Sequence, residues 1–184
     1  QGPMDRSVIN GIRLARYEAS DTSVAAASRP VPRAWRDYSK EAPVSEAVYA
    51  GFTQQFAYDP LALDAKVELR DTTPEAWVVE KVSFSAAYGG ERMIAWVYLP
   101  KHGKPPYQTV VLFPGSGAIN AGPSTATPDS RISFVPASGR AAVFPIFKST
   151  HERSDSLPSD LADMSVRWRD HVVMWVKDYK STLD

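Results

Sequence analysis

The sequence predicts an α/β fold in which an antiparallel hairpin leads into a parallel sheet with flanking helices. Three observations carry this. Two strand-like runs, 78–86 and 93–99, are separated by Gly89-Gly90. Two further apolar runs, 109–113 and 141–147, lack polar alternation, which is the pattern of strands buried on both faces. Helical spacing lies between and after those runs, and buried strands alternating with helices imply right-handed parallel crossovers.

Taken in order, Gln1-Gly2-Pro3 reads as the remnant of a protease site from an expression tag, with native sequence from about Met4. Residues 4–43 read as an irregular, Pro-rich lead-in, because each Pro biases its predecessor away from helix. Ile12 to Tyr17 fits one short strand within it. Residues 44–184 then form one domain-sized stretch. Ser45 suits an N-cap, and Val48, Phe52 and Phe56 recur every four residues, so 44–57 is predicted helical. Leu61, Leu63 and Val67 continue as a loop or short strand. Gly89-Gly90 suits a hairpin turn, since both residues accept positive φ.

Lys101–Gln108 is a polar break, and a loop rich in Gly, Ser, Thr and Pro occupies 114–128. Residues 129–138 fit a helix with Gly139 as its C′ residue. Residues 148–158 are a polar loop. Leu161, Met164, Trp168, Val172, Trp175, Tyr179 and Leu183 step by three or four, predicting a helix over 159–183 capped by Ser159 or Asp160. That stripe carries more apolar surface than four strands and a hairpin cover. The expectation is that these residues are the N-terminal part of a larger folded unit, completed by a downstream segment or a second chain, with a complete small α+β domain ending in a helix as the alternative.

Composition narrows the function. The 184 residues carry 21 Lys+Arg against 21 Asp+Glu, so no cationic excess exists to neutralise phosphates, and nucleic acid is not expected as a partner. Cysteine is absent, which excludes thiolate metal sites and Cys nucleophiles. With only three scattered His, no metal site is expected, and no cofactor is implied. No signal peptide is visible, and no apolar run approaches the roughly 20 residues that span a bilayer.

One motif carries chemistry. Phe113-Pro114-Gly115-Ser116-Gly117-Ala118 follows the buried strand directly. Small residues at the carboxyl end of a strand let backbone N–H groups face an open crevice, where ligands of α/β sheets bind. Such a turn can hold an oxyanion. A Gly-x-Gly after a strand also serves as a plain tight turn. It is not a dinucleotide fingerprint, because Asn120 stands where the third Gly belongs, and no Gly-Lys-Ser/Thr marks a P-loop. Ser116 does not fit a nucleophile elbow, since Pro114 and Ala118 stand where Gly is required. Among the histidines, His102 lies in a polar turn and His171 sits on the long helix. His151 follows a strand end with Lys148, so these two are the candidate cleft residues, with a solvated surface loop as the alternative.

Residues 44–184 resemble the α/β-hydrolase domains found C-terminal to bacterial serine/threonine protein kinases, and more loosely acetyl-xylan-esterase and prolyl-oligopeptidase relatives. The stretches are 44–65, Trp77 to Arg92, Leu99-Pro100-Lys101, Ser138 to Ala141 and Arg169 to Asp178; Pro105 to Ala118 is the most specific. The resemblance implies the N-terminal portion of an α/β-hydrolase fold and a serine hydrolase acting on a small ester. It implies an oxyanion loop at Gly115, Ser116 and Gly117, with the Ser116 N–H as donor. The Gly-x-Ser-x-Gly elbow, the acid and the His of that family are absent from these residues, so they are expected downstream. A non-catalytic interaction domain that kept the sheet is the alternative.

Overall fold

The computed structural model describes residues 36–58, 62–126, 132–155 and 157–184. The chain divides into two compact units, Gln1–Pro43 and Val44–Asp184. In the first, the described residues hold a 3-10 turn at Tyr38–Lys40, capped by Asp37, whose carboxylate accepts from the Ser39 N–H at 3.2 Å. The strand expected at 12–17 lies outside the described residues.

The second unit opens with α1, Glu46–Gln54, capped as expected by Ser45, whose Oγ accepts from the Val48 N–H. Its apolar residues Val48, Tyr49 and Phe52 are exposed. β1, Lys66–Asp71, then pairs antiparallel with β2, Trp77–Ser85. β2 pairs along its whole length with β3, Arg92–Pro100, from Trp77 opposite Pro100 to Ser85 opposite Arg92. The turn between them holds Gly89 and Gly90 at φ +65° and +63°, a region L side chains avoid, so the Gly pair is what closes this hairpin.

β4 is Thr109–Val111 and β5 is Ala141–Ile146. They run parallel, while β5 pairs antiparallel with β3, giving the order β1-β2-β3-β5-β4. The hairpin therefore leads into a parallel pair with flanking helices, the architecture the sequence predicts. β4 stops short of Phe113 for a reason carried by its neighbour. The ladder runs from the Ala141 N–H on Gln108 O to the Leu112 N–H on Val143 O. The next donor would be residue 145, and Pro145 has no N–H. The two chains part there.

Short helix α2, Phe134–Ala137, links β4 to β5, and Gly139 follows it at φ +85° in the C′ position. On the α2 face of the sheet, Val79, Trp96, Tyr98, Ala142 and Ile146 pack with Ile132 and Val135. The opposite face holds a smaller cluster of Phe84, Ala86, Met93 and Ala95. Full burial of each large apolar side chain is worth about 1.5–3 kcal/mol, and the larger of the two clusters lies on the α2 face.

The last helix, α3, is Val166–Leu183 and not 159–183. Local side-chain turns hold the preceding residues out of it: Ser159 Oγ accepts from the Leu161 N–H and Asp163 from the Ser165 N–H. Ser165 is the cap, accepting from the Trp168 N–H at 3.0 Å. The buried face of α3 is polar, with His171, Asp178 and Ser181, and Trp168 and Trp175 are half-buried beside it. Val172, Tyr179 and Leu183 of the expected stripe are exposed, as are Leu161 and Met164. No described helix is long and apolar enough to cross a membrane.

Candidate functional site

The parallel pairing of β4 with β5 brings their carboxyl ends side by side, and two loops emerge there. The first holds Gly115 with extended backbone, φ −75° and ψ 170°, followed by a 3-10 turn at Ser116–Ala118. The second holds a 3-10 turn at His151–Arg153. They are stitched together. Ile119 pairs with Thr150, the Asn120 N–H donates to Ser149 O at 2.9 Å, and Ser154 Oγ donates to Asn120 Oδ1 at 2.8 Å. Phe113 and Phe147, one from each strand end, stack at 4.6 Å between ring centres.

Within the first loop, the Ala118 and Ile119 N–H groups are taken by Gly115 O and Ser116 O. The N–H groups of Gly115, Ser116 and Gly117 have no acceptor among the described residues. Backbone donors left free in this way are available to a ligand; they stabilise an oxyanion only where they converge on one point. Cavities lie on both sides. One, of about 120 Å³, is walled by Phe113, Phe147, Trp168 and Trp175 and touches Gly115 and Ser116. The other, of about 560 Å³, is bordered by Gly115, Gly117, Ser124, Phe144 and His151.

His151 thus shares a cavity with the Gly115–Gly117 turn. Its Nδ1 lies 2.8 Å from Gly122 O and its ring meets Phe144 edge-on. Lys148 borders neither cavity. Its Nζ donates to Glu91 at 2.7 Å, its N–H to Asp178, and its carbonyl accepts from the Trp175 indole. Lys148 belongs to a buried polar cluster centred on Arg153. The Arg153 guanidinium donates to Asp178 (2.6 Å), the Tyr88 hydroxyl (2.8 Å), Glu91 (3.2 Å) and Ile146 O (3.0 Å). This ties the hairpin turn, the β5 loop and α3 to one side chain. Burial pushes the Asp178 carboxyl up, against the pull of Arg153. Partial burial also pushes the Glu91 carboxyl up, but Lys148 and Arg153 outweigh it and hold it below the ordinary range.

Sequence reasoning did not single out Asp178, Tyr88 or Glu91. Asp178 and His171, seven residues apart, lie on the buried face of α3, and the apolar stripe in the sequence points to the other side of the helix. His102 is exposed. His171 is buried and bonded on both sides, Nε2 to Asp155 at 2.8 Å and Nδ1 to Arg167 O at 2.7 Å. With both nitrogens engaged, that Asp–His pair is structural and leaves no base for a nucleophile. Among the described residues no cluster of His, Asp and Glu suits a metal ion.

No protein-family model matches the chain, and no curated protein sequence matches it. Solved structures do. A candidate acetyl xylan esterase from Bacteroides fragilis NCTC 9343 is similar at 16% identity and TM-score 0.49, over 92% of this chain and 49% of that one. A glucuronoyl esterase from Solibacter usitatus is similar at 12% identity and TM-score 0.36, over 59% of this chain and 37% of that one. An acetyl xylan esterase from Paenibacillus sp. R4 is similar at 16% identity and TM-score 0.36, over 59% and 34%. The chain spans about half the length of the first and roughly a third of the other two.

Proposed function

We propose that this chain is the N-terminal part of a serine hydrolase of carboxylic esters, supplying the oxyanion loop, with the nucleophile, acid and His carried by a downstream segment or second chain. The observation that carries this is the row of N–H groups at Gly115, Ser116 and Gly117 without an acceptor among the described residues, between a cavity of about 120 Å³ that touches Gly115 and Ser116 and one of about 560 Å³ that touches Gly115 and Gly117. A serine hydroxyl brought to this edge would attack the ester carbonyl while its proton passes to the partner His. The negative charge developing on the carbonyl oxygen would be met by the Ser116 N–H and its neighbours. Collapse expels the alcohol, and water then frees the acid.

The open side of β4 supports completion by further protein. Because Gln108, Val110 and Leu112 direct their ladder bonds to β5, the N–H and C=O groups of Thr109, Val111 and Phe113 face outward. Phe113 and Phe147 lie on the sheet face opposite α2, and Trp168 and Trp175 wall the cavity beside them, so α3 covers that face. A right-handed crossover from β5 through α3 sets a following parallel strand on this free edge of β4. The test is turnover of p-nitrophenyl acetate and fluorophosphonate labelling, with the chain alone and with its downstream segment. Labelling that appears only with the segment is the expected result.

The second reading, a non-catalytic interaction domain, is favoured by the exposed apolar residues Val48, Tyr49 and Phe52 of α1. Failure of labelling in both preparations supports it.

A further inference from the structure

We infer that His171 is a proton-operated catch on α3. The seated helix holds it as the doubly protonated imidazolium, and loss of one proton turns the ring and moves Trp168 and Trp175, two walls of the cavity of about 120 Å³ beside Gly115 and Ser116. The catch goes beyond the ester-hydrolase reading; only its consequence for the Gly115–Gly117 turn rests on that reading.

The hydrogen-bond partners decide the protonation state. Nδ1 lies 2.7 Å from Arg167 O, and a carbonyl oxygen can only accept. Nε2 lies 2.8 Å from Asp155 Oδ2. Partial burial pushes the Asp155 carboxyl up, but Ser149, His171 and Lys148 outweigh it and hold it below its ordinary range, so this partner is a carboxylate and also only accepts. A neutral imidazole has one N–H and one lone pair. It serves one of these two oxygens, and the other contact becomes lone pair against lone pair at hydrogen-bond distance. Only 5% of the His171 side chain is exposed, so solvent does not relieve that contact. The imidazolium, by contrast, is paired and bonded at both nitrogens, the condition under which an interior tolerates charge.

The ring is placed so that its turning is felt. Trp168 stands three residues before it and Trp175 four after, the spacing that sets side chains side by side on a helix. The His171 and Trp175 rings meet at 6.1 Å between centres, and Trp175 meets Trp168 edge-on at 5.5 Å. When one proton leaves, the remaining N–H stays with Asp155, the charged and stronger acceptor. Nδ1 is then repelled by Arg167 O, and the ring turns beside Trp175. The Arg167 guanidinium donates to Asp155 O at 2.9 Å whatever the state of His171. The response is therefore a repacking of the two indoles and not an undocking of α3.

The charged groups around the ring come from three elements. The loop after β5 supplies Asp155, Lys148 and Arg153, and α3 itself supplies Arg167, Asp170 and Asp178. The hairpin turn adds Glu91 beyond Arg153. Arg153 binds Asp178, Lys148 binds Glu91, and Asp170 pairs with Arg169 on the exposed side. Asp155 is the carboxylate bonded to His171 itself.

The experiment is a pH series on the chain labelled with ¹⁵N in histidine and tryptophan, from about pH 5 to about pH 9, the range that brackets imidazole titration. The ring nitrogens of His171 report its protons. The Trp168 and Trp175 indole N–H groups report the cavity wall, the second of them donating to Lys148 O at 2.7 Å. Both indole signals are expected to shift together with the His171 ring, at one midpoint. Asp155→Asn is the discriminating variant, because its amide accepts from Nε2–H or donates to the Nε2 lone pair, which satisfies both forms of the ring. The indole step is expected to be lost there while His171 still titrates. Indoles that stay fixed while His171 titrates in the unsubstituted chain overturn the inference, and so does a ring that keeps one protonation state throughout. An indole step undiminished in Asp155→Asn also overturns it and assigns the step to Asp178, whose carboxyl burial pushes up. The readout needs no turnover, so a failed catch leaves the hydrolase reading standing, and a working catch in a chain that never gains esterase activity would sink that reading alone.

Discussion

Arg153 and Asp178 meet at 2.6 Å with 6% and 0% of their side chains exposed, and they join the β5 loop to α3 from opposite sides of the cluster. Removing one partner leaves the other buried and unpaired. Arg153→Met is therefore expected to cost about 3–5 kcal/mol in urea unfolding. Arg153→Met combined with Asp178→Leu is expected to recover part of that loss. A double variant no more stable than the single one would show that the charges themselves carry little of the cost.

Glu91 gives the cluster a pH dependence. Its folded pKa is depressed below the ordinary 4.5. The unfolded chain therefore binds the proton first as pH falls, and the contribution of Glu91 is full above about pH 5 and lost as pH drops below 4.5 through the folded value. Glu91→Gln is expected to flatten the acid limb of the stability curve relative to the unsubstituted chain. Asp178, pushed the other way, shares Arg153 with Glu91, so the difference reports the coupled pair rather than Glu91 alone. Parallel acid limbs would contradict the assignment.

The Ser116 N–H and the Ser116 hydroxyl can be tested apart. Ser116 is the first residue of its 3-10 turn and follows a residue with extended backbone, a position that accepts proline. Ser116→Pro is expected to melt close to the unsubstituted chain. In the completed hydrolase its kcat should fall about 10²–10³-fold, the usual loss of one oxyanion donor. Ser116→Ala should leave kcat within two-fold or so, because the hydroxyl takes no part. A collapse of activity in Ser116→Ala would reassign the residue as nucleophile.

The outward edge of β4 can be closed the same way. Val111 gives none of its backbone bonds to β5, so Val111→Pro removes a donor only from the free side. Stability of the chain alone is expected to change by less than about 1 kcal/mol, while recovery of activity with the downstream segment is abolished. Undiminished recovery would place the missing strand elsewhere.

Much of the fold was legible because its signals are local. Ser45 caps α1 by its own hydroxyl, and Gly89-Gly90 closes the hairpin by conformational freedom that no neighbour supplies. The start of α3 was not legible, because Ser159 and Ser165 are equally good caps in sequence. Leu161 and Met164 also prolong the stripe by coincidence; the choice is made by turns at Ser159 and Asp163. The buried side of α3 was hidden for a deeper reason. A hydrophobic stripe identifies the inner face only when that face is apolar, and here it is polar, satisfied by Arg153 and Asp155 from elsewhere in the chain. The same holds at the site. Parallel pairing sets Gly115–Gly117 and His151 on one cavity, which adjacency of strand ends suggests. Lys148 is drawn to Glu91, 57 residues away, and no spacing announces that partner.

The indoles of Trp168 and Trp175 stand nearly perpendicular, with centres 5.5 Å apart, one helical stretch on the same rod. Chromophores that close and skewed exchange excitation, so the pair should print a couplet on the circular dichroism spectrum near the indole bands. Because Trp175 is pinned to the Lys148 carbonyl, that optical signature is tied to the seating of α3 on the sheet. The protein carries, without any label, a spectroscopic gauge of whether its final helix is docked.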